Sequence, residues 1–272
     1  MKPATREFLK KSIPPDAYRF VRYRWWLGSF YLPRLLGSHL VRRSPKVWSA
    51  GTGSADFVNL LRKINILVPT RMCRVMSRHG SDKGRGRHNY TMVYSALFQA
   101  LRDRPARIFE LGLGTNNPTL ASSMGLFGRP GASLRGWRDL FPNAVVFGAD
   151  VDRDILFEED RIRTFYCNQL DSTAIRELWS QPALQEPMDI LIDDGLHSFE
   201  GNMSFLNGSL DHIRPGGIYV VEDIIHGALE EWRAYLTETH SNRFSNFEFA
   251  LVELSETVEN SDNNLLLIRR RA

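Results

Sequence analysis

From Arg107 onward, short apolar runs alternate with longer helical stretches, and this alternation restricts the fold more than any other feature of the chain. The runs are Arg107–Leu111, Val145–Ala149, Ile162–Tyr166, Asp189–Ile192 and Gly217–Val221. Strands alternating with helical segments imply βαβ units and a parallel sheet covered by helices on both faces. The expected fold is therefore α/β, a doubly wound, mostly parallel sheet. The tail departs from the pattern. Glu248–Leu254 and Leu265–Arg269 are strand-like and separated by the polar stretch Ser255–Asn264, which predicts a closing hairpin with one strand antiparallel to the rest.

The 272 residues suffice for one large domain, or for a main domain with an appended one. Charge is unevenly placed along them. Residues 1–50 hold eleven Lys and Arg against Glu7 and Asp16, so this part carries about +9 and the rest about −5 of the net +4. Between residues 14 and 50 the basic residues are mixed with Tyr18, Phe20, Tyr23, Trp25, Trp26, Phe30, Tyr31 and Trp48. Such a segment suits a helical arm packed on the main domain or a second subunit, or one lying on an anionic membrane surface. The expected division is an N-terminal helical arm over residues 1–70 and the α/β domain over 71–272. Within it, Ser44–Gly53 reads as a linker and Ser54–Ile64 as a short helix. A homo-oligomer is expected, and nucleic acid is not expected as a partner.

Cys73 and Cys167 form no C-x-x-C pair, which argues against a disulfide framework or a structural zinc. No run approaches the ~20 apolar residues of a membrane span, and MKPATREFLKKSIPPD contains no apolar leader core. A cytoplasmic setting is the expectation.

Two regions carry chemistry. The first is Ile108-Phe109-Glu110-Leu111-Gly112-Leu113-Gly114-Thr115-Asn116, a strand running into a glycine turn. Glycine permits close approach of a ligand to the backbone. The G-x-G-x-x-G dinucleotide fingerprint is incomplete, because its last position falls on Asn117, followed by Pro118. The next strand ends in Asp150, where a carboxylate can accept hydrogen bonds from ribose hydroxyls. The spacing from Glu110 exceeds the ~20 residues usual for dinucleotide sites, and an insertion at Leu126–Arg138 is the expected reason. A structural turn with a helix-capping Asp is the alternative.

The second region is Asp189-Ile190-Leu191-Ile192-Asp193-Asp194-Gly195-Leu196-His197, followed by a strand that ends in Glu222-Asp223. If the two strands are neighbours, four carboxylates and an imidazole converge. Like charges that close repel unless a proton or cation intervenes, and Mg²⁺ with oxygen ligands is a natural remedy. His197 has the unperturbed pKa of a base that works near neutrality. Helix capping by the acidic pairs would account for single carboxylates, but less well for two pairs and a histidine.

Taken together, these motifs resemble the sugar O-methyltransferases of macrolide antibiotic pathways, the mycinamicin and macrocin enzymes. The resemblance is carried by Gly80-Ser81-Asp82-Lys83, Glu110-Leu111-Gly112-Leu113-Gly114, Gly131-Ala132-Ser133-Leu134-Arg135, Phe141-Pro142, Gly148-Ala149-Asp150, Glu159-Asp160-Arg161-Ile162-Arg163-Thr164, Asp193-Asp194-Gly195-Leu196-His197 and Arg214-Pro215-Gly216-Gly217-Ile218-Tyr219-Val220-Val221-Glu222-Asp223. It spans Gly80 to Asp223 and leaves residues 1–70 unmatched.

The resemblance implies a class I methyltransferase sheet of Rossmann-like type, S-adenosyl-L-methionine (SAM) as methyl donor, and Mg²⁺ beside a sugar-containing acceptor. It implies Asp194, Glu222 and Asp223 as metal ligands and His197 as the catalytic base. Glu110, Gly112, Gly114, Asn116, Ser133, Asp150, Asn168, Gln169 and Asp193 are the implied cofactor residues. Leu196 departs from the family, which has a small polar residue there. A phenolic or lipid-linked acceptor, a non-catalytic SAM-fold module and an NAD-dependent oxidoreductase or epimerase are the competing readings. Cofactor binding and turnover separate them.

Overall fold

The computed structural model describes residues 43–49, 55–85, 87–125, 128–239, 244–254 and 263–272. Among these, nine strands form one sheet: β1 (Lys46–Trp48), β2 (Arg107–Leu111), β3 (Val145–Asp150), β4 (Glu158–Glu159), β5 (Ile162–Tyr166), β6 (Met188–Asp193), β7 (Ile213–Ile224), β8 (Phe247–Glu253) and β9 (Asn264–Arg270). Their spatial order is β1-β8-β9-β7-β6-β2-β3-β5-β4. β7, β6, β2, β3 and β5 pair in parallel, whereas β9 runs antiparallel to both β7 and β8. This is the expected doubly wound sheet with its antiparallel closing hairpin.

Alternation along the strands sends side chains to two separate cores. On one face Ile108, Ile190, Ile192, Val220 and Leu267 pack with Phe57, Met76, Tyr94 and Trp137. These four come from the helices α1 (Ala55–Arg62), α2 (Arg71–His79), α3 (Tyr90–Leu97) and α4 (Ala132–Leu140). On the other face Phe109, Leu191, Tyr219 and Leu266 pack with Ile175, Phe205 and Trp232. Their helices are α5 (Ser172–Trp179), α6 (Phe199–Ser209) and α7 (Leu229–Thr239). Full burial of each large apolar side chain favours the fold by ~1.5–3 kcal/mol, so the strands read as nearly unbroken apolar runs.

Two expectations are corrected. Ser44–Gly53 is not simply a linker, because Lys46–Trp48 pairs with β8 as the edge strand. Leu126–Arg138 is not an insertion, because Ala132–Leu140 is a covering helix whose Trp137 is fully buried. The extra length between β2 and β3 lies in the loop before that helix. It is pinned by Gly131 N–H donating to the Leu113 carbonyl (2.8 Å) and Met124 N–H donating to that of Thr115 (2.8 Å).

Phe57 and Leu61 of α1 lie in the core of the sheet domain, so the change of sequence character at residue 70 is not a break in packing. Residues 1–42 lie outside the described residues, and with them most of the basic aromatic arm. No helix of the described residues is long and apolar enough to cross a membrane.

Candidate active site at the carboxyl edge of the sheet

The central parallel strands deliver both regions singled out in the sequence to one edge. Leu111 pairs with Asp193 across β2 and β6, and Asp193 with Val221 across β6 and β7. At the end of β2 the chain turns sharply through Gly112 (φ 88°) and Gly114 (φ 79°). A Cβ on Gly112 would come within 1.9 Å of the Asp194 carbonyl oxygen, and one on Gly114 within 2.3 Å of Met124. Glycine is therefore required here by the chain's own close approach, independently of any ligand.

Asp150 closes this turn. One of its oxygens accepts from Leu113 N–H (2.7 Å) and the other from Asp152 N–H (2.8 Å). Thr115 donates to Asp152. Asn116 donates to the Gly128 carbonyl (3.1 Å), while its Oδ1 is buried with no partner among the described residues.

Five other expected cofactor residues use their polar atoms within the protein. Glu110 is fully buried, and accepts from Ser133 Oγ and Trp137 Nε1, each at 2.5 Å. Gln169 donates to Asp193 (2.8 Å) and accepts from Leu196 N–H (2.7 Å). Asp193 also receives Asn202 Nδ2 (3.0 Å), and burial pushes its pKa up to about 7. These contacts fix the turn between β6 and α6. Asn168 accepts from Leu170 N–H (3.1 Å) in the approach to α5.

The acidic residues of β6 and β7 are not helix caps. Ser198 caps α6 through Gly201 N–H, and Glu222 and Asp223 lie within β7. Consecutive residues of a regular strand point to opposite faces. Here the pairing with β9 shifts between Val221 and Ile224, and Asp223 has φ 54°. The irregularity re-aims the strand's last carboxylates toward one edge. His197 is likewise left-handed (φ 59°), and strained backbone of this kind clusters at functional sites.

His197 Nε2 lies 3.3 Å from Asp194 Oδ1 and 3.2 Å from Asp223 Oδ2. One ligand atom from each of Asp194, His197 and Asp223 falls within 4.8 Å of the others, a grouping suited to a cation. Burial lowers the pKa of His197, but the Asp194 hydrogen bond and the Asp223 charge outweigh it and raise the value to about 9. Asp223 rises to about 6, through burial and the neighbouring Asp194 charge.

Glu222 stands apart from that trio. Its Oε2 meets Lys83 Nζ at 2.5 Å and its Oε1 accepts from Tyr94 OH at 2.5 Å. Lys83, only 2% exposed, also contacts Asp194 Oδ2 at 2.5 Å and Glu110 Oε1 at 3.4 Å. Burial opposes its charge, yet Asp194, Glu110 and Glu222 together hold its pKa well above the usual lysine value.

The same segment supplies Tyr90, which donates to Asp223 Oδ1 (2.5 Å), and His88, whose Nδ1 is 3.2 Å from that oxygen. Against burial, Asp82 and Asp223 raise His88 to about 10. Gly80 (φ 94°) ends α2 and Asn89 (φ 65°) starts α3, so the segment between them bends over the carboxylates.

Lys83, Tyr90 and Tyr94 were not among the site residues expected from the sequence. Lys83 stood in a family motif, but its partners lie 111 and 139 residues away. In all, Asp82, Glu110, Asp194, Glu222 and Asp223 surround Lys83, His88 and His197; burial pushes the pKa of Glu110 up and that of Glu222 well up, so protons as well as cations can balance the carboxylates.

No protein-family model matches the chain. It is 33% identical over 186 residues to the 8-demethyl-8-(2-methoxy-alpha-L-rhamnosyl)-tetracenomycin-C 3'-O-methyltransferase of Streptomyces olivaceus, covering 66% of this chain and 43% of that protein. It is 32% identical over 160 residues to the demethylmacrocin O-methyltransferase of Streptomyces fradiae, covering 58% of this chain and 36% of that one. The match thus spans less than half the length of either relative.

Among solved structures, the chain resembles the MycE methyltransferase of the mycinamycin biosynthetic pathway in complex with Mg and SAH. That likeness has a TM-score of 0.58 at 23% identity, over 75% of this chain and 55% of MycE. It establishes the fold as the Rossmann-like methyltransferase sheet. The resemblance to sugar O-methyltransferases of antibiotic pathways is thereby borne out.

Proposed function

We propose that the chain is a SAM-dependent O-methyltransferase acting, with Mg²⁺, on a sugar hydroxyl of a glycosylated natural product. The observation that carries the reading is the convergence of Asp194, His197 and Asp223 beside the Gly112–Asn116 turn and Asp150. Relatives named for O-methyl transfer to glycosylated compounds support it.

The residues suit both absent groups. Asp194, partly open to solvent, and the buried Asp223 supply hard oxygen donors suited to Mg²⁺, with the imidazole of His197 beside them. Beside the glycine turn, the unpartnered Asn116 Oδ1 and the Asp150 carboxylate, which keeps free lone pairs, offer acceptors to a polar cofactor. In this reading Asp194 and Asp223 hold the cation, and Asp150 and Asn116 serve the cofactor.

When bound, SAM supplies an electrophilic methyl group that leaves a neutral thioether behind. The cation supplies positive charge that lowers the pKa of a nearby hydroxyl. His197 accepts the hydroxyl proton at Nε2 as the new C–O bond forms and the S–CH₃ bond breaks. Asp194 and Asp223 raise His197 through their negative charge, and with a cation held by them that field would be offset and the imidazole would move toward the neutral form a base needs. Tyr90 and His88 hold Asp223, and Lys83 holds Asp194. Positioning of the two reactants contributes up to roughly 7–11 kcal/mol in favourable cases.

The test is transfer of labelled methyl from SAM to a panel of glycosylated macrolides and polyketides, with Mg²⁺, with excess EDTA, and with Mg²⁺ restored. The reading expects transfer that EDTA abolishes and Mg²⁺ restores. Full activity in EDTA overturns the role of the metal. Binding of NAD in place of SAM overturns the methyltransferase reading.

A further inference from the structure

Lys83 is an ammonium enclosed by three carboxylates, reaching Glu222 and Asp194 at 2.5 Å and Glu110 at 3.4 Å. Glu222 has both oxygens engaged, one by Lys83 and one by Tyr94. Asp194 is divided differently: Oδ2 faces Lys83, whereas Oδ1 faces His197 in the cation-binding trio. Asp194 is thus the link between a cation built into the chain and a cation taken from solution.

We propose that Lys83 is a positioning residue that acts as a built-in competitor of the divalent cation. It neutralises Asp194 and Glu222 in the metal-free protein, keeps them in place, and weakens divalent binding at Asp194 and Asp223. The inference rests on the metal-assisted reading above. Its physical basis is simple. A fixed positive charge sharing a carboxylate with a dication repels that dication, and low local dielectric strengthens the repulsion. Without Lys83, the buried Glu110 and Glu222 and the partly exposed Asp194 lose their counter-charge, and a dication gains over it as a means of balancing them, in competition with proton uptake. Metal binding then becomes more strongly coupled to folding. A lysine that only filled space would show no such coupling.

The test uses the full chain and Mg²⁺ alone, with no acceptor. Titration calorimetry gives the Mg²⁺ Kd, and thermal melts with and without Mg²⁺ give the stabilisation by metal, for wild type, Lys83→Met and Lys83→Arg. Lys83→Met is expected to bind Mg²⁺ about tenfold or more tightly and to gain more in Tm from it than wild type. Lys83→Arg keeps the charge and the wild-type Kd.

If Lys83→Met does not fold without metal, cooperative melting restored by Mg²⁺, and not by NaCl of equal ionic strength, supports the proposal. A Lys83→Met chain that stays unfolded in Mg²⁺ overturns it. An equal or weaker Kd in Lys83→Met overturns the role of Lys83 while leaving the metal reading in place, and equal tightening in Lys83→Arg assigns the effect to packing and does the same. Absence of Mg²⁺ binding in both wild type and Lys83→Met overturns the metal reading and this inference together.

Discussion

The Nε2 atom of His197 lies 3.2 Å from Oδ2 of Asp223, although one residue follows β6 and the other lies near the end of β7, and both have left-handed backbone. The contact joins the turn after β6 to the irregular end of β7, and on it the proposed division of labour depends. Asp223 belongs to the cation, and His197 to the proton.

That division makes His197 separable from the metal. Loss of a general base usually costs ~10²–10⁴ in rate. His197→Ala is therefore expected to lose methyl transfer by about that factor while still binding SAM and Mg²⁺ in calorimetry. Unchanged turnover removes His197 from the chemistry. Loss of Mg²⁺ binding along with turnover makes it a ligand instead of a base.

One of the two cores holds an aromatic cluster against the sheet. Phe205 is fully buried, with ring centroids of Phe109 and Trp179 at 6.2 and 6.3 Å. Phe205→Ala is expected to cost ~3–5 kcal/mol by leaving a cavity. Urea unfolding measures it, and a loss below ~1 kcal/mol would show that the site collapses around the gap.

Cys167 lies just beyond β5, 1% exposed. Burial, with Asp193 and Asp171 nearby, pushes its thiol up to about 12. The thiolate is the reactive form, so native protein at pH 8 is expected to show no fast-reacting Cys167. Peptide mapping after brief alkylation checks this. Rapid labelling of Cys167 without denaturant contradicts the burial described.

The fold and the site were legible to different degrees in the sequence. β2 matches its expected bounds because burial on both faces leaves a mostly apolar run ending in a glycine turn, and β5 matches too, although only its Ile162 is buried. β7 begins at Ile213, four residues before its apolar run, because Ile213 pairs with Met188, while Pro215, Gly216 (φ 79°) and Gly217 fall where the register shifts before pairing resumes at Ile218. Ala132–Leu140 resembled a loop because GRPGAS opens it, yet Trp137 needs a helix to reach Glu110. The carboxylates and His197 stand together in the sequence, so they could be found there. Lys83, Tyr90 and Tyr94 meet them only through the topology, which no local pattern encodes.

A pH test bears on the outer sheet edge. Glu159, about a third exposed, accepts from Arg135 and Arg138, and the Arg135 bonds hold its pKa below the usual range despite some burial. A depressed carboxylate stabilises the fold above its unfolded value of ~4.3, and that contribution fades as pH falls through the folded value. Solvent screening keeps it small, so Glu159→Gln is expected to cost under ~1 kcal/mol at pH 7. The gap from wild type should close by about pH 3. A gap in urea unfolding that stays constant across this range assigns the loss to something other than charge.

The most direct measurement is calorimetric titration of the full chain with SAM in the presence of Mg²⁺. The Gly112–Asn116 turn, closed by Asp150 beside the Asp194–His197–Asp223 trio, predicts saturable binding of one SAM per chain and no comparable heat with NAD. Absence of SAM binding in a folded, Mg²⁺-containing sample would contradict the account.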